Sequence, residues 1–479
     1  MKNFKHAIHS HRFAMTGVAS VLALLVSACA VGPNYQKPAT QEVSTFKEAG
    51  DWIVAAPADT LERGPWWELF ADPVLNQLAA RVEVSNQNVA VAVGAYAQAR
   101  ALVREQRAGL FPSVSLNGSE ARSRSAGDVA TGTAGRTANN YQVSLGGTWE
   151  PDVWGRLGRI ADGASASAQA SAADLAAARL SAQGELAVNY FSLRQSDAQA
   201  ALLASTIAGY QRALDITQNR YTAGVAAKTD LLQAQTQLTN SKADAAGLQR
   251  QRAQFEHAIA VLVGDAPGNF ALAPIADYKP VVPDVPVGVP SILLQRRPDI
   301  AGAERRAAAA NEQIGIAKSA YYPKIILNAS AGSGASRVAD LFSAATSVWS
   351  LGLSAAQIVF NAGATGARVD GAQAAQDQAV ARYRQTVLVA FADVEDQLAT
   401  TRVLLTQQAL RREASLAADQ VEQQVLNRYR SGQVSFTEVI TAQATALNAR
   451  RALVQAMADR QTTAVALIQS LGGGWQVGS

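Results

Sequence analysis

The stretch "NRYTAGVAAKTD", residues 219–230, recurs as "NRYRSGQVSFTE", residues 427–438. Asn, Arg, Tyr, Gly, Thr and an acid hold the same places 208 positions apart, so that Tyr221 answers Tyr429, Gly224 answers Gly432, Thr229 answers Thr437 and Asp230 answers Glu438. Both copies run on into an Ala-Gln pair, at 234–235 and 442–443. A glycine inside helix-forming sequence supplies the positive φ at which a helix can stop and the chain reverse. One turn written twice at a fixed offset implies a duplicated chain.

Proline placement sets the length of the helices around those turns. None occurs between Pro151 and Pro267 or after Pro323, whereas Pro274, Pro280, Pro283, Pro286, Pro290 and Pro298 crowd the region between. Interior proline costs a helix about 3 kcal/mol, so the two proline-free tracts are where long helices can form. A helix is expected from about Arg159 to Tyr221, returning after Gly224 to about Val263, and a second from about Thr365 to Tyr429, returning after Gly432 to about Leu471. A run of about 63 residues is roughly 95 Å long. Small and polar surfaces with sparse Leu and Val fit coiled-coil seams around water, and equally a long soluble coiled coil without a channel.

Ahead of each long helix the period changes to two. In "YQVSLGGTW", Tyr141, Val143, Leu145 and Trp149 alternate with polar or small residues; in "VWSLGLSA", Trp349, Leu351 and Leu353 do the same. Val114 and Leu116 alternate with Ser113, Ser115 and Asn117, and Ile325, Leu327 and Ala329 with Asn328 and Ser330. One apolar and one polar face is the strand signature of a barrel with lipid outside and water inside. Polar tips, residues 122–140 and 332–346, are expected to be loops. "LFPSVSLNGS" (110–119) answers "YYPKIILNAS" (321–330), which extends the duplication through the strands. Four strands are too few to close a membrane barrel, and open edges in lipid strand backbone groups at several kcal/mol each. Three copies give about twelve strands and leave a lumen, whereas two give eight and a barrel filled by its own side chains, so a homotrimer is expected.

The chain is 48% hydrophobic and 17% charged. It opens on a targeting segment, with Lys2, Lys5 and Arg12 before an apolar run at 13–26 and "VSAC" ending at Cys29, the only cysteine. A thiol after small residues is what lipoprotein processing acylates, so residues 1–28 read as a lipoprotein signal and Cys29 as the carrier of an N-acyl diacylglycerol. With one cysteine no disulfide is expected. Loss of the leader takes three of the net +4 charges, leaving about +1, and nothing calls for a nucleic-acid partner. No later stretch reaches the ~18 uninterrupted apolar residues of a spanning helix. After processing His257 is the only histidine, which leaves little from which to build a catalytic relay or a metal site, and no enzyme, cofactor or metal is expected.

Read together, "CAVGPNYQKP", "WWELFADPVLNQL", "LFPSVSLNGS", "WEPDVWGRLGR", "LLQRRPDIAGAE", the two NRYxxG turns and "SLGGGW" resemble, in this order, the TolC-like outer-membrane efflux proteins. The match is to the lipoprotein branch serving RND-type multidrug pumps, the NodT group. The resemblance implies a mainly α fold with a membrane β-barrel: duplicated long helical hairpins forming a trimeric periplasmic α-barrel, and four strands per chain completing a twelve-stranded outer-membrane barrel. It implies this division: 29–70, a lipidated equatorial segment; 71–264, a first repeat (helices 71–109, strands 110–150, hairpin 157–264); 265–297, a proline-rich equatorial linker; 298–471, a second repeat (helix 298–320, strands 321–360, hairpin 364–471); and 472–479, a tail.

The function implied is a passive exit duct, in the outer membrane and reaching into the periplasm, for small molecules such as antibiotics. Its implied partners are a periplasmic adaptor protein, an RND-type inner-membrane pump and outer-membrane lipid. The NRYxxG turns become periplasmic tips, with Tyr221 and Tyr429 capping the long helices, and the second turn carries an iris-like closure. Gate candidates are Asp230, Glu438 and Thr441, the last standing where relatives place an Asp; Val434 or Ala444 stands where some have a basic residue. Three copies would bring six carboxylates near one axis, which favours cations and sensitivity to acid. "RRPD" (296–299) is expected to start a helix at Pro298, Trp66 and Trp67 to anchor the N-terminal segment, and Tyr141, Trp149 and Trp349 to lie at the membrane interface. Other readings are a duct for type I secretion or for metal ions, and a lipid-anchored structural coiled coil. Met457 as the one methionine left after Met1 and Met15 gives no support to a thioether path for copper or silver.

Overall fold

In the duplicated halves, local sequence sets the same order of elements twice. The computed structural model describes residues 30–40, 45–49, 65–126, 134–285 and 296–473. The first half holds α1 (Pro73–Ser85), α2 (Gln87–Ala108), β1 (Ser113–Arg124), β2 (Thr137–Trp149), α3 (Arg156–Thr222) and α4 (Lys228–Leu262). The second holds α5 (Pro298–Ser319), β3 (Lys324–Ala335), β4 (Ser347–Ala356), α6 (Ala364–Arg430) and α7 (Phe436–Ser470). Among the described residues the chain is thus mostly helical, with four strands. The long helices α3 and α6 have 67 residues each, roughly 100 Å of rise. The expected signal segment and Cys29 lie outside the described residues.

The chain forms two compact units, each drawn from both halves. One, built from residues up to 39, 96–171 and 303–383, carries the sheet. Its four strands form an antiparallel meander in the order β1-β2-β3-β4. Unbroken register aligns the apolar positions into rows: Leu116, Leu145, Ala331 and Trp349; then Val114, Gly147, Ala329 and Leu351; then Trp149, Leu327 and Leu353. The intervening rows carry Ser115, Asn117, Ser144, Thr148, Asn328, Ser330 and Ser350. Among the described residues nothing covers the apolar face: Leu116 is 73% exposed and Trp349 79%. Neither outer edge, that of β1 or of β4, pairs with another strand among the described residues.

The strands run further than sequence alone indicates. Arg122 to Arg124 pair with Asn139 to Thr137, so both ends of the expected first loop are ladder, and β3 continues through Gly332 to Ala335. Backbone groups pair whatever the side chain, so polar composition marks the end of the apolar band and not the end of the strand. The β3–β4 connection also has structure of its own, with one-turn 3-10 helices at Val338–Asp340 and Ala344–Thr346 and a Ser333–Thr346 hydroxyl contact of 2.7 Å.

Beside the sheet connections, the N-terminal strap is fixed by several contacts. The Val31 N–H donates to the Trp154 carbonyl at 3.0 Å, and the Pro33 carbonyl accepts from Arg159 Nη1 and from Asn311 Nδ2, each at 3.1 Å. Arg159 pairs with Glu312 at 2.7 Å, and Tyr35 donates to Glu304 Oε1 at 2.6 Å. Gly32, at φ +113°, lies so near Gly315 that a Cβ on it would meet the Gly315 Cα at 2.5 Å. The "VGPNY" stretch is therefore shaped to its seat.

The second unit holds residues 40–95, 172–302 and 384 onwards. Its core includes Trp66, Trp67 and Phe70 of a five-residue 3-10 helix, with Phe70 4.8 Å from Phe191 and Trp66 Nε1 donating to Gln183 at 3.2 Å. Trp66 and Trp67 are packing anchors, as the sequence indicates. Asp72 caps α1 by accepting from the Val74 and Leu75 N–H groups, and its other oxygen accepts from Tyr190 at 2.7 Å.

Candidate functional site

The two hairpin turns are built alike. In the first, the Gly224 N–H donates to the Tyr221 carbonyl at 2.9 Å and the Val225 N–H to the Arg220 carbonyl at 2.8 Å. In the second, Gly432 donates to Tyr429 and Gln433 to Arg428, both at 2.9 Å. These are Schellman closures, and the glycines stand at φ +71° and +72° with nothing within 4 Å of an added Cβ. The Gly is required by backbone conformation, not by crowding. The Arg and Tyr of the repeated phrase supply the carbonyls that the turn needs.

Their side chains part company. Tyr429 is buried, in a cluster with Ala213, Ala234, Phe436 and Val439 that joins all four helices. The Arg220 guanidinium lies 4.7 Å from the Tyr429 ring centroid, and its Nη1 donates to the Tyr429 carbonyl at 2.9 Å. Phe436 meets the same ring at 5.3 Å, and the Thr217 and Tyr429 hydroxyls are 3.4 Å apart. The repeat counterparts, Arg428 and Tyr221, are exposed. Tyr221 and Tyr429 sit within the last turns of their helices, and neither side chain caps; closure is by backbone.

Two of the gate candidates, Glu438 and Thr441, are held by their own helix. Glu438 Oε1 accepts from the Ser435 N–H at 3.3 Å and from its hydroxyl at 3.4 Å, closing an N-terminal box on α7. Asp230 occupies the same place in α4, but Ala227 replaces the serine and offers no side-chain cap. Thr441 donates to the Thr437 carbonyl at 3.0 Å and Thr445 to Thr441 at 2.8 Å, making an exposed row of threonines one turn apart. With Glu438 they border an open hollow of about 390 Å³ against Val421 and Val425 of α6. The structure brings Glu438, Thr437 and Thr441 together; within one chain Asp230 belongs to the other hairpin.

Farther along the hairpins, charge is consumed in structure. Arg297 of "RRPD" is paired with Asp299 at 2.7 Å and Asp393 at 3.1 Å and donates to the Ser470 carbonyl, tying the start of α5 to α6 and the end of α7. Asp197, buried, accepts from Arg194 at 2.9 Å and Arg252 at 2.7 Å, and these arginines donate to the Ala273 and Leu272 carbonyls. That network fixes the stretch after α4. Tyr190 is pushed well above the ordinary phenol range by burial and then by its bond to Asp72, and burial pushes Tyr278 up to about 12.

Known proteins agree with this arrangement. The family model described as outer membrane efflux protein matches residues 78–265 and 289–473, one stretch in each half. The chain belongs to that family. It is 31% identical over 461 residues to a probable efflux pump outer membrane protein, TtgC of Pseudomonas putida, with 95% of each chain covered. It is 29% identical to the outer membrane protein OprJ of Pseudomonas aeruginosa, with 96% of each covered. Among solved structures, the outer-membrane channel OprN superposes with a TM-score of 0.85 at 30% identity, over 94% of this chain and 100% of that one. The open-state MtrE channel of Neisseria gonorrhoeae gives 0.82 at 27%, over 94% and 99%. The family resemblance read from the motifs is thereby shown. This family member is an efflux channel of the outer membrane.

Arg220, Thr217 and Phe436 were not singled out from the sequence as site residues. The signal was present in one of them, since Phe436 stands where the first repeat has Lys228.

Proposed function

We propose that three copies close a twelve-stranded barrel and a helical tunnel, forming the passive exit duct of a tripartite pump. The observation that carries this reading is the sheet with one uncovered apolar face and two unpaired edges. Such edges are untenable in lipid. Quasi-symmetry at the tips supports it too: Arg220 seats on Tyr429 within the chain, while Arg428 and Tyr221 are left exposed, as expected if each meets a neighbouring copy. Cys29 carries the diacylglycerol, one residue before Ala30, which packs on Gly155 beside the sheet connections. The periplasmic adaptor docks at the tips, and an RND-type pump supplies the energy.

Asp230, Glu438 and Thr441 line the constriction, with three Glu438 carboxylates brought close by closure. Small organic molecules are the cargo. One relative is named a toluene efflux protein and another a cation efflux protein, and the single methionine of the processed chain favours the former class. The test is native mass spectrometry and planar-bilayer conductance of the purified protein. A trimer with an ohmic pore is expected; a monomer without conductance overturns the proposal.

A further inference from the structure

The apolar face of the sheet ends in cations. Register places Val114, Leu116, Gly118, Glu120, Arg122 and Arg124 on one face of β1, since successive side chains alternate and the pairing from Ser113 to Arg124 has no bulge. This is the face that carries Leu145, Leu351, Leu353 and Trp349. Counted along β2 from Trp149, the row of Tyr141 lies eight residues on, roughly 27 Å along the strand and about 21 Å of height at a 40° tilt. Arg122, opposite Asn139, falls at about 26 Å and Arg124, opposite Thr137, at about 31 Å. The apolar band of a membrane barrel is about 25 Å tall. The two guanidinium groups thus stand at the far headgroup level, facing out, on the side away from the helix connections.

Both arginines are exposed, and neither forms an ion pair among the described residues. The opposite end of the sheet differs. There Arg156 and Lys324 both pair with Glu150, at 2.7 and 3.2 Å. The one acid on the outward face of β1, Glu120, lies one row nearer the apolar band, opposite Tyr141.

We propose that Arg122 and Arg124 form a binding site for the phosphate groups of an anionic lipid in the outer leaflet. Arginine in particular accommodates phosphate, because its planar fork gives paired, charge-assisted hydrogen bonds. Side chains two residues apart on one strand face stand about 6.8 Å apart, so one lipid headgroup can meet both. The inference rests on the reading of the apolar sheet face as lipid-facing.

The test uses the full-length protein, delipidated in neutral detergent and reconstituted into phosphatidylcholine nanodiscs doped with diphosphoryl lipid A or its dephosphorylated form. The wild type is expected to enrich the diphosphoryl lipid around itself. Arg122→Ala with Arg124→Ala lowers that association about tenfold or more, while the Arg122→Lys, Arg124→Lys pair, which keeps the charge and loses the planar fork, recovers only part of it. Lys324→Ala, at the other end, leaves it unchanged. Equal binding by the double-Ala protein, or equal binding of the dephosphorylated lipid, overturns the site. Quenching by brominated phosphatidylcholine of the fluorescence lost in Trp349→Phe tests the underlying face separately. Quenching in both wild type and double-Ala protein leaves the lipid-facing sheet intact whatever the phosphate result, and its absence from the wild type removes both.

Discussion

Replacing Arg220 with Ala is expected to loosen the hairpin tips. The side chain makes two contacts across the repeat: the ring of Tyr429 at 4.7 Å and its carbonyl at 2.9 Å. A cation over an aromatic ring at a partly exposed site contributes about 0.5–1 kcal/mol, and a hydrogen bond from a charged donor about 1.5–3 kcal/mol. Arg220 is half-buried, so the lower part of each range applies, and the tie is worth about 2–3 kcal/mol per chain. At 1.4 kcal/mol per tenfold, the ratio of parted to joined tips rises about 30- to 150-fold. Swinging the second hairpin away from the first breaks this tie, so the substitution should raise the resting conductance of single channels in planar bilayers. It should also sensitise cells to vancomycin, too large for ordinary entry. Tyr429→Phe keeps the ring and the carbonyl and loses only a 3.4 Å hydroxyl contact, so it should behave almost as wild type. A folded Arg220→Ala protein with wild-type resting conductance and vancomycin resistance would refute the reasoning, and Tyr429→Phe leaking as much as Arg220→Ala would show that the hydroxyl, not the cation, holds the tips.

Glu438→Ala removes the acceptor for the Ser435 N–H and should lower stability in thermal unfolding by about 1 kcal/mol, while letting vancomycin inward; unchanged susceptibility would remove Glu438 from the gate and leave the duct standing. Gly432→Ala places a Cβ at φ +72° in open space, so a loss of about 1–2 kcal/mol from backbone strain alone is expected in thermal unfolding, and Gly224→Ala should match it. Tyr190 and Tyr278 both have folded-state pKa values raised above the unfolded phenol value of about 10. Their contribution is complete below that value and is lost as pH rises toward and past about 12, so stability should be flat from neutral pH to about 10 and then fall. Tyr278→Phe should reduce the slope of that fall in pH-dependent melting.

What could be read from the sequence was local chemistry. The glycine turns need only a positive φ and helix-forming flanks, and the strand faces need only alternation, so Gly224, Gly432 and the rows through Leu116, Leu145 and Trp349 were legible without a structure. Strand ends were less so. Arg122 and Arg124 read as loop because they are polar, while their backbone groups remain in the ladder; the misreading hid a place where the outward face becomes cationic. The buried Asp197 network was also invisible, because its partners at Arg252 and Leu272 to Ile275 are joined only by folding.

The repeat itself explains the deepest gap between sequence and site. The two NRYxxG phrases are equivalent as strings, and both close their turns in the same way, yet one tyrosine is buried beneath an arginine from the other half and its twin is exposed. A duplicated chain has only one internal junction between its halves, so one of two equivalent Arg–Tyr contacts can be made within it. The other two residues, Arg428 and Tyr221, stay exposed in the single chain. Phe436 and Ser435 replace Lys228 and Ala227 at the second turn, giving the internal junction its ring contact and α7 its N-terminal box. Divergence after duplication has therefore placed the ring contact and the N-terminal box at the junction that the chain makes alone; in the proposed trimer, the exposed pair, Arg428 and Tyr221, would be completed by neighbouring copies.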